Sequence, residues 1–452
     1  MSEIKIIGQH ASSVLVGQLA VMAFGVADTV IAGRYSDTAL AALSVGSAIY
    51  ISVYVGLIGI VQALLPIWAE LLGAKRLTVI GQSVRQAIYL CSIITLLGMA
   101  ALLFPGLLLK WAQVPDFMLA EVEDYLMVLA FAFAPALLFR LYSTLNQSLG
   151  RPMLVTILQV AALFVKIPLS IWLVAGGGGV PPMGAVGCAW ATLAVSYLLL
   201  VLAFVMLRVQ PMYKPLALWR RFERPDWVQL GHFARLGIPG GLAYFVEITS
   251  FTLMALFIAR LGTVASASHQ IASSVAAVFY MIPLSVAVAS SARTSYWLGS
   301  GHPENAKNTV ILGLKITLAS AIFLACLLAT VPRLIANGYS TNPEIISIAA
   351  SLLVWVACYH VADAVQAVCA FLLRCYRITI APLAVYAIGL WGLGLLGGYQ
   401  LAYFGISEFK AGQTPASFWM ASTLGIVSVA ASLAFMLQKA VRKSVAKDTA
   451  IN

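Results

Sequence analysis

Twelve stretches of about 20 mostly apolar residues follow one another along this chain, with short breaks between them. A stretch of that length crosses the hydrocarbon core of a bilayer as one α-helix, at 1.5 Å per residue. The first begins near residue 11 and the last ends near residue 438, and the widest break runs from Arg208 to Arg235. That pattern leaves no room for a sizeable water-soluble domain. Composition agrees: 62% of the 452 residues are hydrophobic and 10% are charged, whereas soluble domains carry about 25% charged residues. The first apolar run is too long for a cleaved leader and a second follows at once, so it reads as the first span.

The formal net charge is +11. The basic residues fall in short clusters between apolar runs, with no basic arm or stripe, which argues against nucleic acid as a partner. They fit instead the excess of Lys and Arg on cytoplasmic loops. With the N-terminus taken as cytoplasmic, 20 of the 27 Lys and Arg fall on cytoplasmic segments and five outside, while Lys166 and Lys315 lie within spans. That bias places both termini in the cytoplasm. The six cysteines contain no CxxC pair and read as small buried hydrophobes rather than as a metal or disulfide site.

The two halves of the chain align at a constant offset of half its length. Leu72-Gly73 falls on Leu298-Gly299, and Arg151 falls on Arg377. Halves with an even number of spans share one orientation. The expected fold is therefore an all-α membrane protein of twelve transmembrane helices, in two six-helix lobes (a 6+6 parallel repeat) around a central cavity. The expected boundaries are an N-lobe over 1–208, a cytoplasmic linker over 209–235 and a C-lobe over 236–452.

Of 16 acidic residues, all but three sit in loops, at span ends or in the tails. Asp28, Glu247 and Asp363 lie inside apolar sequence. An ionised carboxylate in hydrocarbon costs at least about 2.5–3.5 kcal/mol, so each needs a partner, a cation or a wet cavity. Lys166, in mid-span beside Pro168, is a candidate partner for Asp28. Glu247 and Asp363 have no comparable basic residue in mid-span, which is what a cation or proton site requires. Tyr359 and Gln366 share a helix face with Asp363. His360 can either titrate near neutral pH or bond to a neighbouring carbonyl. Tyr244, Phe245, Phe279, Tyr280 and Met281 offer an adaptable apolar wall for a cargo, or simply pack. Carboxylates and hydroxyls are hard oxygen ligands suited to Na⁺, and protonatable acids suit H⁺ equally.

The segments VADTVIAG, LLPIWAELLGAKR and MGAVGCAWAT in the first half resemble the multidrug and toxic compound extrusion (MATE) family, in its NorM-type bacterial branch. So do FVEITSFTLMALFIARLG and YHVADAVQAVCAFLLRCYRITIAP in the second. The resemblance covers nearly the whole chain. It implies a cation-coupled exporter of amphipathic, often cationic drugs, with Na⁺ or H⁺ as coupling ion and no cofactor. It implies a cation site at Glu247 and Asp363 with Tyr359 one turn away, and an N-lobe coupling aspartate at Asp28. The family usually carries Asn before Ile-Pro in the fifth span, where this chain has Lys166. A fixed positive charge there puts N-lobe proton coupling in doubt and makes Asp28–Lys166 a structural or gating pair.

A monomer in the bacterial inner membrane is expected, with small molecules and membrane lipid as its partners. The competing reading within transport is a lipid-linked precursor flippase, disfavoured because mid-span acids outnumber mid-span bases. An intramembrane enzyme is disfavoured by the lack of HExxH, GxGD or a Ser/His pair at a suggestive spacing.

Overall fold

A computed structural model gives the architecture and describes residues 2–111, 115–405 and 411–449. Twelve helices are long and apolar enough to cross a membrane, and no β-strand occurs among the described residues. In chain order they are α1 (Glu3–Tyr35), α2 (Asp37–Gly73), α3 (Leu77–Leu103), α4 (Met118–Ser148), α5 (Pro152–Ala175) and α6 (Ala185–Val209). The second six are α7 (Trp227–Ala259), α8 (Thr263–Gly299), α9 (Pro303–Thr330), α10 (Pro343–Cys375), α11 (Ile380–Tyr403) and α12 (Pro415–Ala446). This is the expected all-α, twelve-span membrane protein.

Several helices exceed the lengths that the apolar runs suggest. The 37 residues of α8 would extend about 55 Å, against about 30 Å of hydrocarbon. Helical hydrogen bonding continues past the membrane boundary, so a helix ends at its capping residues and not where hydropathy falls. Arg140, for example, lies within α4, two turns before its end.

By internal contacts the chain divides into two compact units, Val16–Gly241 and Met1–Leu15 with Leu242–Asn452. In the first unit α4 runs through the core, where Leu126, Leu129, Phe133 and Leu137 are buried together with Trp68 of α2. The Trp68 indole donates to Ser83 of α3 at 2.9 Å. Helices α5 and α6 approach closely at Gly187, where a Cβ would stand 2.7 Å from the Leu173 backbone.

In the second unit α10 is the central helix, and nearly every residue from Tyr359 to Cys375 is buried. The start of α1 belongs to this unit. Ile7 and Ala11 pack with Val286 and Ala289 of α8, and the Glu3 carboxylate accepts two hydrogen bonds from Arg293, at 2.6 and 2.8 Å. Residues Ala387–Leu396 of α11 form a π-helix that packs against α12. Of the cysteines, Cys91, Cys188, Cys369 and Cys375 are buried as expected, whereas Cys326 and Cys358 are exposed on the faces of their apolar spans.

The segment between α6 and α7 is not a loose linker. After a 3₁₀ turn over Pro211–Leu216, Ala217 takes φ 52°, and the chain lies against the first turns of α3. The bare Cα of Gly81 permits this, since a Cβ there would come within 1.8 Å of the Leu216 carbonyl. Arg85 then donates to both Glu223 carboxylate oxygens and to the Ala217 carbonyl. Gln86 donates to the Arg224 carbonyl and accepts from the Asp226 amide, and the Tyr89 hydroxyl donates to the Glu223 carbonyl.

The Arg85 guanidinium holds the Glu223 carboxyl at about 2, below its ordinary 4.5. A depressed carboxyl contributes stability above its unfolded value and loses it as pH falls through its folded one. Amide hydrogen exchange across residues 217–226, corrected for intrinsic rates, is expected to stay constant from pH 7 to about 4.5 and to accelerate as pH approaches 2.

Candidate functional site

Each unit carries one set of buried ionisable groups, and the two sets are built differently. In the first unit α1 brings Asp28 against α5 and α6. Lys166 of α5 is 1% exposed. Its ammonium stands 2.9 Å from Asp28 Oδ2, 3.0 Å from the Cys188 carbonyl and 2.7 Å from Thr192 Oγ1. The other carboxylate oxygen of Asp28 accepts from the Ser170 hydroxyl at 3.0 Å. Helical spacing explains the construction. Lys166 and Ser170 are one turn apart on α5, and Cys188 and Thr192 are one turn apart on α6, so each helix presents a two-residue face. The close approach at Gly187 brings the Cys188 carbonyl within reach.

All three ammonium protons have acceptors, and both carboxylate oxygens have donors. That condition makes a buried ion pair tolerable. The sequence-based pairing of Asp28 with Lys166 is therefore present as a direct salt bridge. Ser170, Cys188 and Thr192 were not legible as its partners, because contact between helices sets them.

In the second unit the sequence-predicted residues converge from α7 and α10. Asp363 is buried and accepts from the Gln366 amide at 2.9 Å. The Gln366 carbonyl accepts in turn from the hydroxyl of Tyr386 on α11. Glu247 of α7 lies within charge–charge reach of Asp363 and of Arg374. A small pocket opens beside Glu247 and is lined also by Tyr244, Tyr280, Phe371, Arg374 and Tyr386.

Asp363 takes its hydrogen bond from Gln366 rather than from Tyr359. The Tyr359 ring is wedged between the edges of Phe251 and Trp419 at 5.8 and 5.7 Å. His360 and Phe279 pack on each other at 5.6 Å, and His360 Nε2 has no hydrogen-bond partner among the described residues. Gln366 is fully buried and bonded on both sides. Among the aromatic candidates, Tyr244 and Tyr280 line the pocket, while Phe245 is exposed.

Arg374 corrects one expectation, that Glu247 and Asp363 lack a nearby countercharge. It is 5% exposed and stands at the last turn of α10, beyond the apolar run that marked the span. Helical side chains tilt toward the N-terminus, and Arg374 turns back over Phe371 at 4.7 Å and Tyr244 at 5.2 Å. Its Nη1 has no hydrogen-bond partner among the described residues. No ion pair joins it to either acid among the described residues. Its position at a span end hid it in the sequence.

A profile of the MatE family matches residues 14–172 and again residues 239–400. This chain belongs to the MatE family. The same profile fits each half of this MatE protein once, at nearly the offset that the internal repeat requires. It is 36% identical to a probable multidrug resistance protein NorM of Aromatoleum aromaticum, over 96% of this chain and 94% of that protein. It is 30% identical to the probable multidrug resistance protein NorM of Neisseria meningitidis serogroup B, over 100% and 97% of the two chains. Its fold matches the crystal structure of a eukaryotic MATE transporter, AtDTX14, with a TM-score of 0.87 over 99% of both chains at 18% identity.

Removing one partner of a buried pair strands a charge and costs about 3–5 kcal/mol, more than the pair itself contributes. Lys166→Met should therefore lower the apparent melting temperature in detergent more than the double variant Asp28→Asn/Lys166→Met does. Thermal unfolding followed by intrinsic fluorescence makes the comparison.

Proposed function

We propose that this MatE protein exports amphipathic, often cationic small molecules by antiport against Na⁺ or H⁺, with the coupling cation bound at Glu247 and Asp363. The observation that carries this is the contrast between the two buried acid sets. Asp28 is saturated by Lys166 and Ser170. Glu247 faces a pocket, with Asp363, the Gln366 amide and the Arg374 guanidinium nearby, and no ion pair neutralises it among the described residues. A carboxylate already satisfied in hydrocarbon gains little from a cation, and one that is not gains much. The coupling ion is a transported substrate. Two carboxylates, an amide and tyrosine hydroxyls are hard oxygen donors of the kind that Na⁺ accepts, and the carboxylates take up protons as well.

Gln366 positions Asp363, and Tyr386 fixes the amide orientation that lets Gln366 donate. Tyr359 buttresses the same turn. Tyr244, Phe279 and His360 belong to the packed surroundings that a cargo would meet. In the cycle, a cation from outside favours the state that releases cargo, and loss of the cation favours the state that loads it. A ligand shifts such a population only through its different affinity for the two states. Further support comes from the relatives, which carry the name multidrug resistance protein. The twelve spans and the distribution of Lys and Arg support a multi-pass protein of the bacterial inner membrane with both termini cytoplasmic, acting as a monomer. A flippase for lipid-linked anions is the second reading. Arg374 is the one feature in its favour, and the two acids beside it weigh against it.

In proteoliposomes with imposed Na⁺ or H⁺ gradients, Glu247→Gln and Asp363→Asn are each expected to slow gradient-driven export by about tenfold or more. Unchanged export by both would remove the site. Lys166→Asn and Asp28→Asn should weaken protein stability in parallel. If Asp28→Asn alone abolished coupling while Lys166→Asn was silent, Asp28 would be a coupling carboxylate and not half of a structural pair.

A further inference from the structure

The segment between α6 and α7 joins the ends of two spans and therefore lies at one face of the bilayer. Its two acids are both occupied. Glu223 is held by Arg85, and Asp226 caps the start of α7 by accepting from the amides of Val228 and Gln229 at 3.0 and 3.1 Å. What remains outward is basic: Lys214, Arg220, Arg221 and Arg224 are all exposed. None of them takes part in the salt bridges found among the described residues. Such a patch attracts anions, but charge alone does not say which.

The aromatic residues say where it sits. Trp219 folds back along α6. Its ring packs edge-on to Phe204 at 4.8 Å, its indole N–H donates to the Leu207 carbonyl, and the Arg208 guanidinium lies 5.0 Å from its centre. Phe204 is an exposed apolar residue of a spanning helix, so it faces lipid. Trp219 therefore stands at the depth of the last turns of α6, where tryptophan is favoured at the boundary between headgroups and acyl chains. Phe222 is 58% exposed and Trp227, the first residue of α7, is 72% exposed. Three outward aromatics thus alternate with Arg220, Arg221 and Arg224 along one short stretch, held in place by Arg85, Gln86 and Tyr89.

We propose that residues 208–227 form a preorganised binding site for the phosphodiester headgroups of anionic phospholipid. Arg220, Arg221 and Arg224 take the phosphates, for which the guanidinium fork is suited. Trp219, Phe222 and Trp227 seat the segment among the upper acyl carbons. The contacts to α3 hold the segment in one conformation before lipid arrives, which lowers the entropy cost of binding. This site is independent of the export reading and of the acids in either unit.

The test uses the full-length purified protein, with phosphatidylglycerol and phosphatidylcholine of matched acyl chains as probes. Lipid retention is read by native mass spectrometry, and the thermal shift on lipid addition is read alongside it. Wild type is expected to retain phosphatidylglycerol about tenfold better than phosphatidylcholine, because juxtamembrane cations contribute roughly additively. Arg220→Gln/Arg221→Gln/Arg224→Gln should lose that preference while keeping the wild-type melting temperature without lipid, since none of the three side chains holds the segment in place. The corresponding triple Lys variant should keep most of the preference. Equal retention of the two lipids by wild type would overturn the proposal. So would an unchanged preference in the Gln variant, or a thermal shift reproduced by inorganic phosphate at the same concentration. Should the Gln variant not fold, wild type alone decides through salt. The preference must fall between 50 and 300 mM salt (probe conditions of about these values), and a salt-insensitive preference would sink it.

Discussion

The cost of holding charge in hydrocarbon governs where this chain can place its polar groups. Lys166 shows the constraint fully met, with Asp28, the Cys188 carbonyl and Thr192 taking its three protons. The elements of the first unit answer to that arrangement. Gly187 is bare so that α6 can lend a carbonyl, and Ser170 is placed one turn from Lys166 to occupy the second carboxylate oxygen. The network leaves no vacancy for a third charge. In the second unit the same cost is met incompletely, with Asp363 bonded to an amide and Glu247 facing a pocket shared with Arg374. Two halves that match one family profile thus hold their buried acids in different ways.

Spans were legible in the sequence because hydrocarbon tolerates little ambiguity. About 20 apolar residues in a row can do little else. Helix ends were less legible, because nothing in hydropathy marks where a polar helix stops. Arg374, in the last turn of α10 and beyond its apolar stretch, was hidden for that reason. The three buried acids stood out by their cost alone, and Lys166 could be matched to Asp28 because so few buried bases were available.

Contacts between helices were the hidden part. Tyr386 meets Gln366 from α11, just before the π-helical stretch over Ala387–Leu396. No periodicity in that glycine-rich sequence announces a wider helix or the tyrosine that precedes it. Likewise the segment after α6 read as a basic linker. Its pinning depends on Gly81 and Arg85, which lie more than 100 residues earlier. Charge patterning showed that the segment was basic, and only the fold showed that its acids were already spoken for.

The assignment of the first residues of α1 has a consequence for how such a molecule can be divided. Residues up to Leu15 pack with the unit that begins at Leu242, while Trp227 to Gly241 of α7 pack with the other. A cut in the segment between α6 and α7 would yield two polypeptides, each carrying a half-helix whose packing partners are on the other piece. Neither fragment would hold a complete hydrophobic core. A duplicated gene whose products had traded half-helices in this way could no longer return to two independent six-helix proteins, and co-expressed halves would have to find each other before either was finished.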